Sequence, residues 1–226
     1  MSDKTSFSTY AITLYFDDNT TDWIRGLMAQ FAQVTGNDFM TANEVPPHLT
    51  VGMFHVSEAD VEKLKNLFED FVTAARKCNS TFDISFSGYE SFLDKVIFIK
   101  PEVDEKLSII NKLLHEKFLP HFEAGDNRNY LPENWYPHIA LGVKLSHEQF
   151  ERGMEFLNAQ GTTCSPGLRA SLPAQGIGGA PQALRSNGGE SRNAAKPGLP
   201  SGRCAHITTI GLACCNPYTP IMNISL

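Results

Sequence analysis

The chain has 226 residues, 42% of them hydrophobic and 19% charged, with a formal net charge of −6 and a pI near 5.6. That length and apolar content suit a folded protein able to bury a core, and they exclude a disordered or fibrous chain. The acidic balance excludes a protein held along nucleic acid by a general basic surface, since that binding is driven by phosphate neutralisation, but it leaves a small or terminal nucleotide open as a ligand.

The opening residues, MSDKTSFSTYAITLYFDD, contain no basic stretch followed by a long apolar run, and no segment has the length to cross a bilayer, so the cytoplasm is the expected location. Ser8 to Phe16 is rich in Thr, Tyr, Ile and Phe and predicts a strand. Asp17 to Thr21 offer helix-starting residues, and Trp23, Leu27, Phe31 and Val34 then recur at spacings of three and four until Gly36. After a Pro-containing loop, His48 to Val56 predicts a second strand. Ser57 with Asp60 marks the next helix, whose apolar face carries Val61, Leu64, Phe68, Phe71 and Ala75. Thr81 to Phe86 and Lys95 to Lys100 read as neighbouring strands joined by a turn near Gly88. A helix is expected from Asp104, with Leu107, Ile110, Leu114 and Phe118 on one face, ending by Pro120. His138 to Leu145 predicts another strand, and Ser146 with Gln149 caps a helix carrying Phe150, Met154 and Leu157.

Residues 161–203 break this regularity. They are crowded with Gly, Pro, Ser and Ala, contain no aromatic residue, and carry Arg169, Arg185, Arg192, Lys196 and Arg203 against the single Glu190. A segment without a periodic apolar face cannot build a core, so it is expected to be a flexible insertion, with a basic RNA-contacting arm as the less favoured alternative. Strand patterns return from Ile207 to Cys215 and from Tyr218 to Leu226. The five cysteines lack regular spacing and are expected to be reduced thiols, with Cys214 and Cys215 packing in a strand.

Two segments resemble each other, Val45-Pro46-Pro47-His48-Leu49-Thr50-Val51 and Trp135-Tyr136-Pro137-His138-Ile139-Ala140-Leu141. Each sets a Pro before a His at the start of an apolar strand. Side chains two apart on a strand share a face, so His48 would face a cleft with Thr50, and His138 with Ala140. Two imidazoles on opposed strands can supply an acid and a base, while a hydroxyl holds a phosphoryl oxygen. Aromatic residues near the motifs, namely Trp135, Tyr136, Phe54, Tyr89 and Phe92, are candidates for stacking on a base. Lys144 is read as lying on the His138 face of the strand and as a candidate phosphate contact.

On these residues the chain resembles the 2H phosphoesterase superfamily, which contains RNA 2',3'-cyclic phosphodiesterases also called 2'-5' RNA ligases and is marked by two His-x-Ser/Thr motifs. His48-Leu49-Thr50 matches the first motif, whereas His138-Ile139-Ala140 lacks the second hydroxyl. His206-Ile207-Thr208 also fits the pattern, but it has neither the preceding Pro nor the following helix, so His138 is preferred. The resemblance implies an α/β (α+β) fold of two pseudo-symmetric lobes, each a small, mainly antiparallel sheet with flanking helices, around a central cleft. Residues 1–160 and 204–226 would form that single bilobal domain, with 161–203 inserted.

The same resemblance implies catalytic His48 and His138, with Thr50, Ala140, Tyr136, Phe54 and Lys144 around the substrate. The substrate would be a nucleotide or an RNA end, hydrolysed at a cyclic phosphate or phosphodiester or joined by the reverse reaction. No cofactor and no membrane partner are implied, and a monomer is expected. His115-Glu116 begins like a zinc-protease motif, but His121 lies past Pro120 and cannot share its helix face, so no metal is implied either. A nucleotide or RNA-end binding module that kept the cleft and lost turnover is the competing reading, and Ala140 is its main support.

Overall fold

Strand and helix periods resolve into a mixed α/β architecture in the computed structural model, which describes residues 6–78, 82–159, 204–215 and 218–226. The expected flexible insertion, 161–203, lies outside the described residues. Strand β1 (Phe7–Phe16) leads into helix α1 (Asp18–Thr35), where the Asp17 carboxylate accepts the Thr20 N–H at 2.9 Å and Gly36 ends the helix at φ 72°. The buried face of α1 runs through Ile24, Leu27, Met28 and Phe31. Val34, expected on that face, is turned out to solvent because the 3.6-residue period brings Thr35 inward instead.

A short helix, α2 (Phe39–Ala42), occupies the expected loop, and β2 (Leu49–Ser57) follows. The Ser57 hydroxyl donates to Asp60 at 2.6 Å at the entry to α3 (Val61–Cys78), whose buried face holds Leu64, Phe68, Phe71, Val72 and Ala75. Next come β3 (Asp83–Phe92) and β4 (Val96–Pro101). The expected turn near Gly88 is not there. Gly88, at φ 145°, lies beside a bulge at Ser87 within β3, and the chain reverses at Leu93 and Asp94, both at positive φ. Helix α4 (Glu105–Phe118) is capped by Asp104, which accepts the Leu107 N–H at 2.7 Å. The described chain continues with β5 (Glu123–Ala124), β6 (Ile139–Gly142), α5 (His147–Ala159), β7 (Cys204–Cys215) and β8 (Tyr218–Ser225). No described helix is long and apolar enough to cross a membrane.

The strands form a mainly antiparallel sheet in the order β5-β2-β1-β7-β3-β4-β6, with β8 also on β7. Strand β7 joins the two groups, because Cys204 to His206 pair with β3 while the rest runs between β1 and β8. Helices α3 and α4 pack on β2, and α1 with α5 packs on β4 and β6.

Each histidine strand carries a bulge at the same offset. Opposite β1, Thr50 and Gly52 pair with consecutive residues and Val51 is the extra one; opposite β4, Ala140 and Gly142 do so and Leu141 is the extra one. One extra residue reverses the alternation of side chains. The glycine after each bulge therefore turns toward the helices rather than toward the cleft. A Cβ at Gly52 would lie 2.6 Å from Leu114 of α4, and one at Gly142 would lie 2.4 Å from the Phe31 ring of α1. The repeat is thus Pro-His-x-Thr/Ala-apolar-Gly, one residue longer than the pair of motifs first suggests.

Phe31 is fully buried and has no room to retreat, so Gly142→Ala overpacks the contact between α1 and β6. A loss of about 1–3 kcal/mol is expected, read as a lower denaturant midpoint with an unchanged slope. A variant as stable as the parent would show that this helix contact yields freely.

Candidate functional site

His48 and His138 sit one residue ahead of β2 and β6, each behind a proline. A proline forces the residue before it into extended backbone. Within each segment the carbonyl two residues before the histidine accepts the ring: His48 Nδ1 bonds to Pro46 O at 2.7 Å, and His138 Nδ1 bonds to Tyr136 O at 3.0 Å. A carbonyl can only accept, so Nδ1 carries the hydrogen in both rings and Nε2 is the nitrogen left to exchange a proton. Both half-buried imidazoles line one cleft of about 510 Å³, together with Thr50, Ala140, Tyr130, Cys215 and Tyr218.

Several contacts hold this arrangement. Trp135 Nε1 donates to Thr50 O at 3.1 Å, tying the approach to His138 onto the His48 strand. The buried Asn111 amide of α4 donates to the bulged Val51 carbonyl at 2.8 Å and to Tyr130 O at 3.1 Å. Both amide hydrogens of one side chain thereby fix the bulge and the loop that carries Tyr130. The Tyr218 ring stacks near His48 at 5.9 Å between centroids, and its hydroxyl meets that of Tyr15. His138 rests against Phe92 at 5.0 Å and Phe98 at 5.4 Å, with Tyr130 at 6.4 Å.

Burial lowers both imidazoles from 6.5, because desolvation penalises the charged ring. The Pro46 carbonyl opposes the shift at His48, while the nearby charge of His138 deepens it. At His138 the Tyr136 carbonyl and then the Asp126 carboxylate oppose it. Burial pushes the Cys215 thiol up to about 12, and it holds the Tyr130 and Tyr218 phenols above their ordinary 10, so all three stay protonated at neutral pH.

Other residues singled out from the sequence fall elsewhere. Phe54 is in the core, 5.0 Å from Phe118 and 5.5 Å from His115, because the Val51 bulge turns it from the cleft to the helix side. His55, farther along the same strand, bonds to Thr9 of β1 at 3.1 Å. Tyr136 joins its hydroxyl to Glu90, with Lys100 above its ring at 5.2 Å and bonded to Glu90 at 2.8 Å. Its part at the cleft is its carbonyl rather than its ring. Tyr89 is a core residue.

Lys144 is at the cleft, but not through a strand face shared with His138. The bulge gives that side to Val143, and Lys144, at φ 55°, leaves the strand and lays its ammonium 4.2 Å from the centre of the Phe39 ring. His206 is exposed, pairs with Asp83 at 2.8 Å and does not line the cleft. Sequence periodicity missed Tyr130, Tyr218, Cys215, Phe39 and Asn43, which reach the cleft from loops, from strand ends and from the short helix. The detectable signal was the glycine four residues after each histidine, which marks the bulge. Among the described residues no group of three or more His, Cys, Asp or Glu is placed to hold a metal ion.

The lowered imidazoles have a consequence for stability. His48 and His138, with the buried His115, bind protons more weakly folded than unfolded, so below 6.5 the unfolded chain takes up more protons. Their contribution is complete above 6.5 and is lost as pH falls from 6.5 toward the lower folded values. Denaturant midpoints measured across this range should fall on acidification, and the decline should be shallower in His48→Asn, which keeps only the other two groups. An identical slope in parent and variant would contradict the burial of His48 in its neutral form.

The model of the 2'-5' RNA ligase superfamily matches residues 19–165. No curated protein matches significantly. Among solved structures, E. coli LigT complexed with 3'-AMP is similar in fold at a TM-score of 0.53, with 13% identity over 98% of this chain and 99% of that one. LigT complexed with NADP+ gives a TM-score of 0.49 at 13% identity, covering 98% of each chain. LigT complexed with phosphate gives 0.46 at 14%, covering 97% of this chain and 98% of that one. A family match over more than half of the chain, on a fold shared along nearly its whole length, shows that the protein belongs to the 2'-5' RNA ligase superfamily of 2H phosphoesterases.

Proposed function

We propose that this protein is a phosphoesterase that opens a 2',3'-cyclic phosphate, or cleaves a phosphodiester, at a nucleotide or RNA end by acid–base catalysis between His48 and His138. The observation that carries this reading is the matched pair of imidazoles, each with Nδ1 bound to the carbonyl two residues back and both lining one cleft. That tautomer leaves one Nε2 to take a proton and the other to give one, to either side of a single phosphorus atom.

Electrostatics support one division of the roles. His138 has the Asp126 carboxylate nearby, which favours its charged form, whereas His48 feels the repulsion of His138. The first proton therefore belongs on His138, and the two rings titrate as a coupled pair. In hydrolysis His48 Nε2 accepts a proton from water as the water oxygen bonds to phosphorus. The bond from phosphorus to the ribose oxygen breaks, and that oxygen takes the proton from His138 Nε2. The reverse sequence joins a cyclic phosphate end to a hydroxyl. The Thr50 hydroxyl lies beside this path and can donate to a phosphoryl oxygen.

Turnover of a nucleoside 2',3'-cyclic phosphate should fall about 10² to 10⁴-fold in His48→Ala and in His138→Ala, with kcat and kcat/KM both lowered. His206→Ala should retain parental rates. Tight nucleotide binding by a parent that never turns over would replace this reading with a binding module. The role assignment has its own check in the pH profile. Asp126→Asn suits the positive φ of that position and removes the charge that favours protonated His138. The descending limb of the profile should move to lower pH while the ascending limb, set by His48, holds; movement of the ascending limb alone would exchange the two roles.

A further inference from the structure

The second histidine motif lacks its hydroxyl: Ala140 brings only a methyl to the cleft at the place where Thr50 stands in the first motif. We propose that the Tyr130 phenol supplies the missing second hydroxyl, so that a phosphoryl group is held between Thr50 and Tyr130. This inference rests on the phosphoesterase reading of the cleft and names a binding group for that substrate.

Tyr130 lines the same cleft as Thr50 and Ala140, and its ring lies 6.4 Å from that of His138 at an angle of 32°. Tyr130 therefore stands beside the His138 ring in the cleft that Thr50 and Ala140 also line. Burial raises the phenol pKa, and the nearby Thr50 hydroxyl opposes that rise. Burial keeps the phenol protonated, so it has a hydrogen to give, and an anionic phosphoryl oxygen is the acceptor that this hydrogen suits.

The other polar groups of the cleft serve this purpose less well. The Tyr218 hydroxyl is engaged with Tyr15, the Lys144 ammonium lies over Phe39, and the Cys215 thiol is a weak donor.

The backbone around Tyr130 is built to hold it there. Asp126, Asn127 and Arg128 are consecutive residues at φ 46°, 52° and 65°, a left-handed turn that non-glycine residues adopt only when their surroundings impose it. Gly125 N–H anchors the turn to Met53 O of β2 at 2.8 Å, and Asn111 anchors Tyr130 O at 3.1 Å. Strain held by contacts to the His48 strand gives the phenol a fixed position relative to both motifs.

The experiment compares the parent, Tyr130→Phe, Ala140→Thr and the double variant. It measures kcat/KM on a nucleoside 2',3'-cyclic phosphate and affinity for inorganic phosphate by calorimetry. Tyr130→Phe keeps the ring and should lose about 10 to 100-fold in kcat/KM, as expected for a hydrogen bond to a charged group, and it should bind phosphate more weakly. Ala140→Thr returns a hydroxyl to the second motif. Added to Tyr130→Phe, it should recover most of the loss, which a merely structural role for Tyr130 would not allow.

Parental kcat/KM and phosphate affinity in Tyr130→Phe would overturn the proposal, and so would a loss that Ala140→Thr leaves untouched. A parent that binds phosphate without turnover defeats the catalytic reading, and the affinity of Tyr130→Phe then still decides the role of the phenol. A parent that neither turns over nor binds phosphate overturns both.

Discussion

Each cleft imidazole is held by one hydrogen bond running back along its own chain, from Nδ1 to the carbonyl two residues earlier, and the rest of the site depends on that bond. It selects the tautomer, orients the ring and decides which nitrogen is left to exchange a proton. The intervening Pro47 or Pro137 makes it local. Proline constrains its predecessor to extended backbone, and the accepting residue lies before the strand, where no ladder partner competes for its carbonyl. Three consecutive residues thus fix the tautomer of each ring without a distant carboxylate.

The bulges then separate the work of the two sheet faces. Before the bulge, His48 with Thr50 and His138 with Ala140 line the cleft. After it, Gly52 and Phe54 on one strand and Gly142 on the other meet the helices. A strand without a bulge would send a large aromatic into the cleft, or a polar residue under a helix. Glycine follows each bulge because Leu114 and Phe31 occupy the space a side chain would need. Asn111, buried in α4, ties the first bulge to the loop that carries Tyr130, so the packing of a helix sets the position of a cleft residue.

What the sequence made legible follows from these constraints. Elements with strong local signals were readable: the caps at Asp17 and Asp104, the Thr, Tyr, Ile and Phe content of β1 and the apolar face of α3 need only local rules. The paired Pro-His segments were readable because the same local geometry is written twice. The bulges were not, since an extra residue leaves hydrophobic content unchanged while reversing every later side chain. That reversal accounts for Phe54, which went to the core, and for Lys144, which reaches the cleft mouth only by leaving its strand. The turn at Leu93 and Asp94 was hidden because it uses no glycine, while Gly88 drew attention to a bulge. Tyr130, Tyr218 and Cys215 were unreadable for a different reason. Their places depend on which loop and strand ends the sheet order brings to the histidines, and that order runs through β7, far along the chain from either motif.

The central claim is that two imidazoles sharing one tautomer converge on a single phosphate while differing in charge. Nitrogen-15 NMR of the histidine side chains, recorded as inorganic phosphate is added at neutral pH, tests it most directly. The account predicts hydrogen on Nδ1 of both His48 and His138 in the free protein. Phosphate should then place a second proton on His138 Nε2, His48 should stay neutral, and His206 should not respond. A free protein with its hydrogen on Nε2 of either ring, or phosphate that perturbs neither imidazole, would contradict it.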